Sequence, residues 1–232
     1  MNKIKNWLIS KILKEMTNSY AGFIKYVYVC MCRIISIVID HHYDNKLGIE
    51  TDAQLVSKDN LSLYKDAVIY QPTPYHKLEK MIDYLNLGPD DIFIDLGCGK
   101  GRVIFLVATQ KLKKVMGLEL KKELVDIAKL NLDNLKLNNT PIEIINADAA
   151  TYDNSKDITV FFMFNPFGSA TLTRVIDNIK NTLIANPRII RIVYYVPAYR
   201  NLFDNQNWLV SEGEIDKTAI FVWHNILYLE GP

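Results

Sequence analysis

A layered α/β fold, with a mostly parallel sheet and an antiparallel strand near its end, is predicted by three observations. From residue 92 onward, short apolar runs alternate with segments of helical periodicity, the pattern of a parallel sheet wrapped by helices. The stretch Asp91–Gly101, DIFIDLGCGKG, is an apolar strand running straight into a glycine turn, with the apolar helical segment Val103–Ala108 behind it. Two strand-like runs near the end, 208–215 and 219–229, are separated only by a short polar turn, which makes them an antiparallel hairpin.

Taken in order, residues 1–46 read as an N-terminal helical extension and 47–232 as the α/β domain. Ile4, Trp7, Leu8, Ile12 and Leu13 recur at helical spacing, with Lys3, Lys5, Lys11 and Lys14 on other faces. Tyr20–Asp40 is long and apolar but carries Lys25 and Arg33, charges that are costly inside a bilayer. Three readings stay open for residues 1–40: a lid packed on the domain, a segment lying on a membrane surface, or a true span. No small-residue cleavage site follows, so a signal peptide fits poorly. Residues 40–60 are polar enough to serve as a connector. The prolines keep Tyr70–Pro74 extended, and Pro74 suits the start of a helix whose apolar face is Leu78, Met81, Ile82 and Leu85, stopped by Gly88-Pro89.

The first strand begins at Ile92, and a helix follows the glycine turn from 102 to 111. A second strand covers 115–120, a helix 123–137 and a third strand 142–145. Residues 158–164 form a continuous apolar run, which marks a central strand buried on both faces. Asn165-Pro166-Phe167-Gly168 ends it. A helix over 170–183 and a fifth strand over 189–196 precede the hairpin.

The chain has 232 residues, 49% hydrophobic and 23% charged, enough apolar material for one domain with a real core. A net charge of +1 provides no field that would recruit nucleic acid. Three cysteines without regular spacing argue against a disulfide framework and for a reducing, cytoplasmic setting. Cys30-x-Cys32 lacks a second ligand pair, so no metal site is expected.

The chemistry sits at the strand ends. Ligands of open α/β sheets bind beyond the carboxyl ends of the strands, and Asp95, Glu119, Asp148 and Asn165 each occupy such an end. An acid after a strand can also cap a helix, but four polar groups in order favour a ligand. A dinucleotide fingerprint started at Gly97 would require glycine where Arg102 stands; the observed glycines are Gly97, Gly99 and Gly101. A carboxylate at Asp95 would repel a pyrophosphate and suit a cationic amine. Glu119, about 20 residues on, can accept from ribose hydroxyls, and Asp148 from an adenine amine. A ligand with an ammonium, a ribose and a base fits this set, as S-adenosylmethionine (SAM) does.

Residues from about 64 to 168 resemble the class I, seven-strand SAM-dependent methyltransferases, whose domain is a three-layer Rossmann-like sandwich. Asp95-Leu96-Gly97-Cys98-Gly99-Lys100-Gly101 matches the first motif of that family, Glu119 the second, Asp148 the third and Asn165-Pro166-Phe167 the fourth. The resemblance implies the strand order 3-2-1-4-5-7-6. Tyr70-x-x-Thr73, the helix to Leu85 and Asp90-Asp91-Ile92-Phe93 are similar to the non-SET histone-lysine methyltransferases. That likeness implies that Tyr70 and Thr73 hold the methionine end of the cofactor and that Asn165 stands beside the transferred methyl. Asn-Pro-Phe after the fourth strand departs from that group, and no long basic nucleosome-binding tail is evident, which argues against histone as the acceptor.

The expected function is therefore SAM-dependent methyl transfer, most simply to an amine nitrogen such as a protein lysine. The rival readings are a non-catalytic SAM-binding protein and a nicotinamide-dependent oxidoreductase. Asn165 is the expected catalytic residue, accepting a hydrogen bond from the nucleophile. Phe167 packs on the adenine or walls the acceptor pocket, and Tyr195, in the cluster Tyr194, Tyr195 and Tyr199, lines it. Cys98 fills a small-residue slot rather than acting as a nucleophile. The acceptor, protein or small molecule, is left open, with RNA least favoured.

Overall fold

The computed structural model describes residues 2–52, 71–136, 139–152, 156–215, 217 and 219–226, with side chains of the first helix from residue 22 onward. The chain divides into two compact units, 1–42 and 43–232. A single helix, α1, runs Asn2–Leu47. It carries on through the beginning of the expected connector, and its last turn belongs to the second unit. The division falls slightly before the expected 46/47 boundary because Asp44 and Leu47 are already buried in the domain.

The second unit holds the remaining elements: α2 Tyr75–Leu85, β1 Ile92–Leu96, α3 Arg102–Val107, β2 Lys114–Glu119, α4 Lys122–Asn134, β3 Ile142–Asn146, β4 Val160–Met163, α5 Ser169–Ala185, β5 Arg191–Tyr195, α6 Asn201–Asp204, β6 Leu209–Glu214 and β7 Ile220–Asn225. The seven strands form one sheet in the order β3-β2-β1-β4-β5-β7-β6. β1 to β5 pair in parallel, and β7 inserts antiparallel between β5 and β6. The α/β sandwich and its strand order are as expected. α2 ends at Leu85 on Asn86 in the left-handed conformation, before Gly88-Pro89, because Asn tolerates that backbone. The short α6 was not anticipated; one turn of helix carries too little periodicity to read.

Strand alternation decides which side chains meet which helices. Ile92, Ile94 and Leu96 of β1 join Phe161, Met163, Ile192, Tyr194 and Trp223 in a core closed by Leu172, Val175, Ile176 and Ile179 of α5. Phe93 and Asp95 point to the opposite face, where Phe93 stacks on Phe162 at 6.2 Å. All four residues of β4 are buried, as the continuous apolar run required. Each fully buried large apolar side chain stabilises the fold by about 1.5–3 kcal/mol. Asp91, just before β1, accepts from Thr159 Oγ1 at 2.7 Å and pairs with Arg191 at 3.2 Å, pinning the amino ends of β1, β4 and β5. That edge is tied by an ion pair and a hydrogen bond; the candidate site lies at the opposite, carboxyl edge.

Candidate functional site

The glycine loop gives the site its shape. Gly97 and Cys98 donate their N–H groups to the Leu118 carbonyl at 2.8 and 3.0 Å, folding the loop over the end of β2. Gly97 has φ +91° and Gly101 φ +94°, a region that side chains with a Cβ rarely adopt. Space adds to the requirement: a Cβ at Gly97 would lie 2.7 Å from Pro166 Cβ, and one at Gly101 would lie 2.3 Å from the Phe105 ring. The first of these contacts brings the Asn165-Pro166 turn directly against the glycine loop.

Glu119 holds the loop from below. Its Oε2 accepts from Gly99 N–H at 3.0 Å and its Oε1 from Lys121 N–H at 2.9 Å. A carboxylate offers about four lone-pair sites, so two backbone donors leave room for a diol. Burial raises the Glu119 carboxyl above its ordinary range, opposed by those N–H groups. Asp95 is 2% exposed, and among the described residues no donor reaches its carboxylate. Burial first, and then the charge of Glu119, push its pKa well above the ordinary value. A buried acid without a donor is a costly feature that a cationic ligand would relieve. Asp148 turns its own backbone, Oδ1 accepting from Ala150 N–H at 2.8 Å, and is half-buried. These residues fit a ligand with an ammonium, a ribose and a base.

Cys98 is buried and its Sγ fills the space above Gly117, where a Cβ would lie 2.7 Å from the sulfur. Burial and the two acids raise its thiol far from the thiolate form, so it packs rather than reacts.

The ends of β4 and β5 are built differently. Asn165 has φ +41°, which Asn tolerates at the end of β4. Its Oδ1 accepts from the Tyr194 hydroxyl at 2.8 Å. Burial raises the Tyr194 pKa to about 12, so the hydroxyl keeps its proton and donates it to Asn165. Tyr195, the residue singled out from sequence, faces the other side of the sheet and packs on Phe164 at 4.5 Å. Phe167 is half-buried against the α5 core. Tyr70 lies outside the described residues. Thr73 is buried, and its carbonyl accepts from Arg102 Nη1 at 3.5 Å.

Arg102 shows what the sequence did not. It stands where a dinucleotide site would need glycine, and it is 4% exposed. Its Nε donates to Thr51 Oγ1 at 2.6 Å, its Nη2 lies 3.7 Å from Asp44 Oδ2, and its guanidinium sits 4.8 Å over the Tyr75 ring. Tyr75 and Thr51 both donate to Asp44. Next to it, Lys100 donates to the Asp52 carbonyl, and Asn131 bridges Glu50 and the Lys100 carbonyl. Residues 44–52 thus form a strap tied to the glycine loop at both Lys100 and Arg102. No local pattern announces it: Asp44 and Arg102 are 58 residues apart (102 − 44).

The model of the family described as histone methylation protein DOT1 matches residues 53–186. A histone-lysine N-methyltransferase, H3 lysine-79 specific, of Dictyostelium discoideum is 28% identical over 176 residues, covering 68% of this chain and 10% of the relative. A protein-lysine N-methyltransferase of Saccharolobus islandicus is 37% identical over 71 residues, covering 30% of this chain and 44% of the relative. The chain therefore spans less than half the length of these relatives. A solved S-adenosyl-L-methionine-dependent methyltransferase-type protein of Methanococcus maripaludis has the same fold, with TM-score 0.52 and 15% identity over 67% of this chain and 86% of that one.

Proposed function

The chain belongs to the family of the histone methylation protein DOT1, and on that premise we propose that it transfers a methyl group from SAM to an amine nitrogen, the side chain of a protein lysine. The observation that carries this reading is the pairing of a buried Asp95, which no donor among the described residues reaches, with a glycine loop held by Glu119, directly against the turn of Asn165. Asp95 takes the ammonium of the cofactor, Glu119 the ribose hydroxyls and Asp148 the adenine amine; Thr73 flanks the methionine end, the role that the family resemblance also gives to Tyr70.

Bound SAM would supply a methyl group already activated on a sulfonium. The chain's own task is alignment, and orientation of two reactants can contribute as much as ~7–11 kcal/mol to a barrier. Asn165, held by Tyr194, keeps one Oδ1 lone pair for an amine N–H and thereby aims the nitrogen lone pair. Phe167 walls the pocket. The lysine must arrive neutral, because only the unprotonated amine has a lone pair to offer the methyl group. The lysine-directed relatives support the nitrogen acceptor; near-neutral net charge speaks against nucleic acid.

Two measurements test the proposal. S-adenosylhomocysteine (SAH) should raise the melting temperature, since ligand binding adds about RT ln(1 + [L]/Kd) of stability, whereas NAD should leave it unchanged. Labelled methyl from SAM should appear on lysine when a treated cell extract is mapped by mass spectrometry. Stabilisation by NAD alone would overturn the cofactor, and label confined to RNA or to oxygen atoms would overturn the acceptor.

A further inference from the structure

α1 presents large apolar side chains to solvent along its described length. Phe23, Ile24, Tyr26, Tyr28, Ile34 and Val38 are 60–68% exposed. The segment Gly22–Leu47 is long and apolar enough to cross a membrane, and none of its most apolar window is buried. A core helix of a soluble domain does not look like this.

The charges on this helix are not scattered. At 100° per residue, Lys11, Lys14, Glu15, Lys25, Arg33 and Asp40, every charged residue between positions 11 and 40, fall within about 100° of arc. Asn18, Cys32 and Ser36 share that arc, interrupted by Val29. The remaining circumference is apolar apart from Thr17 and Ser19. Such a helix is neither a spanning segment, whose charges would face hydrocarbon, nor a coiled-coil strand, whose apolar seam is narrow. Four basic residues against two acids leave the stripe net positive, which complements anionic headgroups.

Orientation points the same way. A span with its cofactor domain in the cytoplasm would place Lys3, Lys5, Lys11 and Lys14 on the far side, against the bias of basic residues towards the cytoplasm. Nor does the helix read as a removable leader, because its own last turn supplies Asp44 to the strap that holds the glycine loop.

We propose that α1 lies lengthwise in the surface of an anionic lipid bilayer, its wide apolar arc sunk among the acyl chains and the stripe of Lys11, Lys14, Lys25 and Arg33 at the headgroups. If the methyltransferase reading holds, methyl transfer is thereby confined to acceptors at that surface.

The test needs neither cofactor nor acceptor, so its failure is separate from failure of the function above. The full chain should sediment with vesicles of phosphatidylglycerol and phosphatidylcholine at least tenfold more than with phosphatidylcholine alone. Alkaline carbonate should release it. Val27→Glu/Ile34→Glu, at the centre of the apolar arc, should abolish binding with the melting temperature of the domain unchanged. Arg33→Glu should weaken binding to anionic vesicles only. Retention through carbonate extraction would replace the surface helix by a span. A chain that ignores all vesicles and forms a concentration-dependent dimer broken by Val27→Glu/Ile34→Glu would make a second copy the partner; either result overturns the proposal.

Discussion

The two halves of the carboxyl edge are built on different principles. Around β1 and β2, the site consists of backbone and buried charge: Glu119 grips Gly99, Asp95 sits without a donor, and the strap of residues 44–52 holds Lys100 and Arg102 from behind. Around β4 and β5, it consists of side chains brought together across the sheet: Tyr194 on Asn165, Tyr195 on Phe164. The first half suits a ligand of fixed shape, since its donors and acceptors are immobile. The second combines buried tyrosines with half-buried Phe164, Asn165 and Phe167, side chains rather than backbone. The contact of Pro166 with Gly97 is where the halves meet.

The largest effect should come from cutting the strap. Arg102→Met leaves the Asp44 carboxylate buried without its cation and should cost about 3–5 kcal/mol, a fall in melting temperature of roughly 10 °C or more. Removing both partners, in Asp44→Leu/Arg102→Met, should recover much of that loss. Should the single variant melt like the wild type, the cofactor half would not depend on the strap.

Asp95→Asn comes next and should act in opposite directions on affinity and stability. Losing a charge-assisted contact of ~1.5–3 kcal/mol should weaken SAH binding by roughly 10- to 150-fold. Because the folded pKa of Asp95 is raised, the free protein enjoys that acid's favourable contribution below its ordinary value of 3.8 and loses it as pH rises through the folded pKa. The Asn variant escapes this loss, so without ligand it should melt about 2–4 °C higher at neutral pH. In the wild type, SAH affinity should decline as pH falls through the folded pKa, and the variant should show no such decline. A variant that binds SAH normally would remove Asp95 from the ammonium site.

Gly97→Ala tests the junction. A positive φ costs a residue bearing a Cβ roughly 1–2 kcal/mol, and the new methyl meets Pro166. Both SAH affinity and turnover should drop; a change in only one would mean that the halves are less coupled than their contact implies. Tyr194→Phe should be mildest. It removes the donor that orients Asn165, and kcat should fall about tenfold, equivalent to ~1.4 kcal/mol, with SAH affinity unchanged. If affinity drops as well, Tyr194 serves the cofactor half instead.

The same contrast explains what could be read in advance. Strand and helix order, the glycine turn and the acids at Asp95, Glu119 and Asp148 are properties of short segments, because alternation, glycine spacing and an acid after an apolar run are all local. The partner of Asn165 was not legible. Tyr194 and Tyr195 are neighbours in sequence, and only the register of β5 against β4 sends one to Asn165 and the other to Phe164. Arg102 could be read only as a glycine that was missing. Its role required Asp44 and Thr51 of the strap and Thr73 and Tyr75 at the start of α2, two stretches distant from it in sequence.

The sequence by itself therefore determined the layered α/β fold and the row of acids at the strand ends, since both follow from periodicity and spacing within a few residues. Tertiary structure alone decided that Arg102 closes a strap on the glycine loop, and that Tyr194 rather than Tyr195 orients Asn165. Contacts between distant segments depend on strand register and on which buried polar groups find partners, and neither is written in any local pattern.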